Sequence, residues 1–237
     1  MRLLIKLSGE SLNETGRAGD REYSEPTLEA IAQAIKSLQR AGHEIALVVG
    51  GGNLFRGEKL TKELSIERPT ADYIGMLATV QNALILRDYF QTKGIETRVS
   101  SAIAMPQICE GYIPQRARRH IEKKRIVIFA AGLGAPYFTT DSTSVQRALE
   151  IGADLLIMAK NGVDGLYTGD PKSDKRATLI KTITASEVLE KNLKAADQSA
   201  IALAKEHGLT IKVVGVPDIA RALDKKVGST ITPDKRM

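Results

Sequence analysis

The chain reads as an α/β protein in three layers: a mainly parallel central sheet covered by helices on both faces. Three observations predict this. Short runs that are apolar almost throughout, such as residues 45–49 and 125–131, match buried strands. Those runs alternate with longer segments of helical spacing, as at Leu28, Ile31, Ile35 and Leu38. Gly-rich or hydroxyl-rich segments follow four of the strands, at the edge where such sheets hold ligands.

The elements follow in order. Residues 2–7 form a first strand. Ser24 caps a helix with Glu25 and Pro26 in its first turn, and Gly42 closes it. Residues 45–49 form the second strand. A long helix starts at Thr70 or Asp72, runs through Met76, Leu77, Val80, Leu84 and Leu86, and ends near Gly94. Residues 96–100 are a third strand, Pro114 opens a basic helix, and residues 125–131 are a fourth strand. Asp141 or Ser142 begins a helix through Val145, Ala148 and Leu149 that Gly152 closes, before a fifth strand at 154–160. Beyond it come an edge strand at 178–182, helices near 186–192 and 197–206, a strand at 210–214, a short helix from Pro217 and a final strand at 229–232. The loose, Gly- and charge-rich stretch at 13–22 is expected to be a mobile loop. With 237 residues and no repeat or low-complexity linker, a single domain over 1–237 is expected.

Composition removes several classes of chemistry. Residues are 43% hydrophobic and 26% charged, yet no apolar run approaches the roughly 20 residues of a membrane span. The first eight residues carry Lys6 in a short apolar stretch with no cleavage site after it, so a cytoplasmic location is expected. Cys109 is the only cysteine, which excludes an intrachain disulfide and disfavours a thiolate metal site. His43 and His207 stand beside glycines at helix ends, and His120 is the one other histidine, so zinc or histidine acid–base chemistry is not expected. The net charge of +6 would suit nucleic acid, but the basic residues cluster only at 116–120 and 123–125, as on the exposed face of one helix. Aromatics are 4% with no Trp, too few for a stacking platform, and nucleic acid is not expected as a partner.

Four segments remain that suggest chemistry. Gly50-Gly51-Gly52-Asn53-Leu54-Phe55-Arg56-Gly57 follows a strand. Bare backbone there lets a phosphate reach main-chain N–H groups, and Arg56 adds a planar fork for its oxygens; a plain turn with a surface arginine is the alternative. Lys6-Leu7-Ser8-Gly9-Glu10 places a lysine inside an apolar strand, which costs free energy unless the ammonium meets a carboxylate, meets bound phosphates or snorkels from an edge. No Walker A sequence is present. Residues 132–142 link a strand to a helix; Tyr137 and Phe138 offer flat surfaces, Thr139 and Thr140 offer hydroxyls, and Asp141 either caps the helix or orients Lys6. Residues 160–171 hold two aspartates, three glycines and a proline, as in paired β-turns of a hairpin or a loop framing a nucleoside.

Taken together, KLSGE from Lys6, GGGNLFRG, ADYIGMLATVQNALILRD, FTTDS and DGLYTGDP closely resemble the bacterial UMP kinase (uridylate kinase) branch of the amino acid kinase family, over nearly the whole chain. The resemblance implies the amino acid kinase fold and transfer of the ATP γ-phosphate to UMP in pyrimidine nucleotide biosynthesis, with Mg2+ held through the ATP phosphates rather than by a protein site. It implies that Lys6, Leu7, Ser8, Gly9 and Gly52 bind the ATP phosphates, that Arg56 touches both phosphate groups, and that Asn161, Tyr167 and Asp170 hold the ATP nucleoside. On the UMP side it implies Gly51, Asp72 at the ribose, Leu133, Gly134, Ala135 and Pro136, then Tyr137, Phe138, Thr139 and Thr140, the last near the base. Asp141 would anchor Lys6, making Lys6, Arg56 and Asp141 the catalytic set. Residues 1–150 would mainly bind UMP and residues 151–237 ATP. The family is hexameric, with UTP as inhibitor and GTP as activator in many members. This chain reads Thr15-Gly16-Arg17-Ala18-Gly19-Asp20-Arg21-Glu22-Tyr23 where many members carry Gly-Phe-Gly-Ile, in a region that matters for the nucleotide effector. Two alternatives stand beside this reading: a kinase of the same fold acting on a carboxylate or small phosphate monoester, and a non-catalytic binder using the basic helix.

Overall fold

Strand formation follows the apolar runs, and helix boundaries follow local capping. The computed structural model describes residues 1–13, 23–55, 57–171, 173–174 and 176–234. Apart from residue 13, the segment expected to be a mobile loop lies outside the described residues. In chain order, β1 (Arg2–Leu7), α1 (Glu25–Arg40), β2 (Glu44–Val49), α2 (Gly57–Leu64) and α3 (Arg68–Thr92) come first. Next are β3 (Thr97–Ser101), β4 (Glu110–Gly111), α4 (Pro114–Glu122), β5 (Ile126–Ala130), α5 (Thr140–Ile151) and β6 (Leu155–Lys160). Then come β7 (Leu166–Tyr167), β8 (Leu179–Ile180), β9 (Thr182–Thr184), α6 (Ala185–Glu190), α7 (Gln198–Glu206), β10 (Ile211–Gly215) and β11 (Ser229–Thr232). Short 3-10 turns occupy Gly9–Leu12 and Val216–Arg221.

Nine strands form one sheet in the order β4-β3-β5-β2-β1-β6-β10-β11-β9. Every pairing is parallel except β10 with β11. The period-2 alternation of strand side chains divides the core between two faces. Leu3, Ile5, Leu7, Leu47 and Ile157 pack with α1 and α3 on one face. Leu4, Val48, Phe129 and Met158 pack with α4, α5, α6 and α7 on the other. Both apolar layers run from β5 across β1 to β10, one on each face of the sheet.

Several boundaries differ from expectation for local reasons. Helix α3 begins at Arg68 with a proline in its first turn, where the missing N–H costs nothing, rather than at Thr70 or Asp72. The cap of α5 is Thr139, not Asp141 or Ser142. Helix α6 starts at Ala185 because Thr184 and Glu187 form a reciprocal capping box. The single edge strand expected at 178–182 is two elements. Leu179 and Ile180 pair antiparallel with β7 in a separate ribbon, whereas Thr182–Thr184 pairs with β11 at the edge of the main sheet, where Ile183 is buried. Helix α2 and the two-residue β4 have no counterpart in the sequence reading; β4 is too short to show alternation.

Candidate active site

The carboxyl ends of β1, β2, β5 and β6 share one edge of the sheet, and the loops that leave them meet there. A Cβ placed on Gly9 would lie 2.4 Å from Asn53 Oδ1 and 2.9 Å from both Gly50 O and Gly52 N. One on Gly51 would lie 2.7 Å from Gly75 O and 2.9 Å from Ala78 Cβ, both in α3. Glycine is therefore demanded here by close packing of main chain on main chain, in addition to any approach by a ligand. Leu7 turns its side chain into the core, which leaves only its backbone to face the site. Ser8 Oγ is 2.6 Å from Ser11 Oγ in the turn that follows.

Lys6 is 7% exposed, on the strand face covered by α5. Strand β1 is central, so snorkelling from an edge is not available to it. Its Nζ stands 3.0 Å from Asp141 Oδ1. That oxygen is buried without a hydrogen-bond donor of good angle, so the contact is an ion pair. Thr139 makes the pair possible by taking over the cap: its Oγ1 accepts from the N–H of Asp141 at 3.1 Å and of Ser142 at 3.2 Å. The Asp141 carboxylate in the first turn of α5 is thereby left for Lys6.

Two further charged residues belong to this cluster. Burial pushes the Lys160 ammonium down, Asp141 and Asp197 oppose that, and the nearby Lys6 adds to it. Its signal lay in the run Lys160-Asn161-Gly162, a lysine at a strand end before a glycine turn, as at Lys6. Asp197 caps α7 through the Ala200 N–H at 2.7 Å and also accepts from the hydroxyls of Thr139, Ser142 and Ser199. Burial alone would raise its pKa, but these hydrogen bonds outweigh burial and hold the carboxyl below the ordinary 3.8. From sequence Asp197 marked only a helix start.

Two cavities flank the cluster. The first, about 650 Å³, is lined by Gly51, Gly52, Phe55, Arg68, Asp72, Met76, Ala135, Phe138, Thr139, Thr140 and Asp141, among others. Leu133, Gly134, Pro136 and Tyr137 are not among its lining residues. Thr140 Oγ1 lies near Gly50, at the glycine-loop end. The Asp72 carboxylate accepts from Arg68 Nε at 2.8 Å and from the Tyr137 N–H at 2.8 Å. That second bond holds Tyr137 at φ 72°, a left-handed conformation costly for a non-glycine residue. The second cavity, about 570 Å³, is lined by Lys160, Asn161, Gly162, Tyr167, Gly215 and Asp218 with their neighbours. Tyr167, whose hydroxyl donates to Asp164 at 2.6 Å, also borders a 350 Å³ recess that Asp170 lines. The run at 160–171 is thus no hairpin in itself; its strand residues pair with 179–180 instead. Arg56 lies outside the described residues.

Three comparisons bear on this arrangement. The family model described as the amino acid kinase family matches residues 1–215. A uridylate kinase of Tropheryma whipplei is 47% identical over 232 residues, covering 98% of each chain. One of Streptomyces avermitilis is 46% identical over 234 residues, covering 97% of this chain and 91% of that relative. Among solved structures, a UMP kinase from Bacillus anthracis superposes with a TM-score of 0.90 at 38% identity, covering 100% of this chain and 97% of the other. A UMP kinase from Ureaplasma parvum gives 0.88 at 33%, covering 98% of both.

Proposed function

The chain belongs to the amino acid kinase family, among its nucleoside monophosphate kinases, and we propose that it transfers the γ-phosphate of ATP to UMP, yielding ADP and UDP. One observation carries the reading: the Lys6–Asp141 pair stands between two cavities, with Asp141 lining one and Lys160 lining the other. The first cavity takes UMP, with Asp72 at the ribose and Gly51 and the 133–140 loop around the nucleotide. The second, with its neighbouring recess, takes the nucleoside of ATP against Asn161, Tyr167 and Asp170.

The chemistry asks little of general bases. A UMP phosphate oxygen, already ionised near neutral pH, attacks the γ-phosphorus. A new O–P bond forms while the bond to the β–γ bridging oxygen breaks, and ADP leaves. Lys6, the N–H groups of Ser8, Gly9 and Gly52, and Arg56 supply the field that stabilises charge on the equatorial oxygens. Asp141 keeps Lys6 aimed, and Lys160, which lines the second cavity, faces the donor.

Among the described residues, no group of three His, Cys, Asp or Glu side chains is arranged to hold a metal alone. The Asp141 carboxylate, which pairs with Lys6 through one oxygen and lines the first cavity, is compatible with a cation carried in on the ATP phosphates. Bound that way, Mg2+ supplies charge neutralisation on the transferring phosphates.

A homohexamer, inhibition by UTP, a role in pyrimidine nucleotide synthesis and a cytoplasmic setting complete the proposal; activation by GTP is not part of it, because residues 15–23 depart from the segment expected to serve the effector. Exposed Tyr73 and Leu77 on α3 support subunit contact along that helix. No helix among the described residues is long and apolar enough to cross a membrane. The deciding experiment is a coupled ADP-release assay with UMP, CMP or no acceptor, each with and without GTP. ADP release that depends on UMP and exceeds that with CMP is expected. Release independent of UMP, or favouring a carboxylate acceptor, would overturn the assignment.

A further inference from the structure

Helix α3 touches both loops that face the acceptor cavity, through the buried side chains of Asn82 and of Thr79, the latter also lining that cavity. Asn82 and Asn53 are both 0% exposed. Asn82 Nδ2 donates to the Gly50 carbonyl at 2.6 Å and to Asn53 Oδ1 at 2.8 Å, while its Oδ1 accepts from the Tyr23 hydroxyl at 2.7 Å. Its Oδ1 also accepts from Asn53 Nδ2 at 3.3 Å, so both donors and both acceptor positions of this amide are committed, which fixes the Gly50 carbonyl of the glycine loop. Three residues earlier, on the same side of the helix, Thr79 Oγ1 accepts from the Ala131 N–H at 2.8 Å and donates to Met76 O at 2.7 Å. Ala131 needs such a restraint, because it sits at φ 58° without being glycine. Between these two anchors, Gly51 lies so close on Gly75, Ala78 and Thr79 that no Cβ would fit.

We propose that Thr79 and Asn82 are positioning residues through which α3 fixes the separation of the loop after β2 from the loop after β5, and so aligns the two reacting phosphates. The inference rests on the function proposed above. In-line transfer is steep in alignment, and a displacement of about 1 Å costs on the order of 100-fold in rate. A helix that grips one loop by a carbonyl and the other by an amide sets that alignment before either nucleotide arrives.

Thr79→Val, which keeps the shape and removes the hydroxyl, and Thr79→Ser, which keeps the hydroxyl and removes the methyl, test this, with Asn82→Ala and the double variant alongside. Two readouts are taken: hydrogen exchange of the ligand-free protein, and kcat and KM for UMP and ATP. Thr79→Val is expected to speed exchange in peptides spanning Ala131 and to lower kcat about 10-fold or more, with KM for ATP within about threefold. Thr79→Ser should restore both readouts. The double variant should lose less than the product of the single losses, because both residues serve one alignment. Wild-type kcat in Thr79→Val, or equal impairment of the Val and Ser variants, would overturn the proposal, as would unchanged exchange at Ala131. Should Asn82→Ala not fold, the Thr79 pair decides. A wild-type protein that makes no UDP would refute the function instead, and exchange at Ala131 would then decide the positioning claim by itself.

Discussion

Lys6 occupies the one kind of place where an ammonium needs a purpose. It is buried in the central strand, with apolar neighbours on either side in sequence and a single carboxylate 3.0 Å away. Lys6→Met keeps the bulk of the side chain and removes the charge, so turnover should fall by about 100-fold or more, the scale of a lost transition-state donor; undiminished kcat would refute the role. Asp72→Asn should raise KM for UMP about 10-fold while KM for ATP moves less than about threefold, since one good hydrogen bond to a charged group is worth that much. Equal effects on both nucleotides would count against Asp72 at the ribose. Asp197 gives a pH prediction. Its folded carboxyl titrates below 3.8, so the folded state holds that proton less readily than the unfolded chain. The stabilisation is complete above 3.8 and disappears as pH falls through the folded value. Asp197→Asn should lower Tm at about pH 6 and flatten the fall of Tm between about pH 5 and pH 3; an unchanged acid slope would contradict this. Lys6 was legible in the sequence because a lone charge breaks an apolar run. Asp197 and Thr79 were not, because a helix-cap aspartate and a mid-helix threonine look the same whether or not they have distant partners.

At the scale of elements, caps decide where helices start and hence which side chains reach the site. Because Thr139 caps α5, Asp141 is carried one step into the helix and turned toward β1. The cap of α6 is separable from the site and gives a clean stability test. Thr184→Ala removes the hydroxyl that accepts from the Glu187 N–H while keeping the backbone N–H that donates to the Glu187 carboxylate, and urea unfolding should register a loss of about 1 kcal/mol with catalysis unaffected. No change in the midpoint would show that the hydroxyl contributes nothing. Element existence was readable wherever periodicity ran long enough. α1, β1, β2, β3, β5, β6, β10 and β11 fall where the apolar runs and spacing place them, and α4 opens at Pro114 as expected. The β7–β8 ribbon was not readable, because its partners are two residues each and are separated by a loop whose pairing no local pattern encodes.

For the whole molecule, the sheet order explains why one edge gathers the chemistry. Strand β1 lies between β2, from the first half of the chain, and β6, from the second, so the glycine loop, the Lys6 strand and the Lys160 strand end side by side. The parallel architecture was legible because strands buried on both faces leave continuous apolar runs. The division of the edge into two cavities was not, since it depends on the Lys6–Asp141 pair and on the long-range hydrogen bonds that join α3 to the 131–140 loop. The most direct measurement is a crystal structure with UMP and a non-hydrolysable ATP analogue bound together. The acceptor phosphate should lie in the cavity of Asp72 and Asp141, and the donor nucleoside in that of Asn161 and Tyr167. The two phosphates should meet in line within about 3 Å of the Lys6 ammonium. Nucleotides seated elsewhere, or phosphates meeting away from Lys6, would contradict the account.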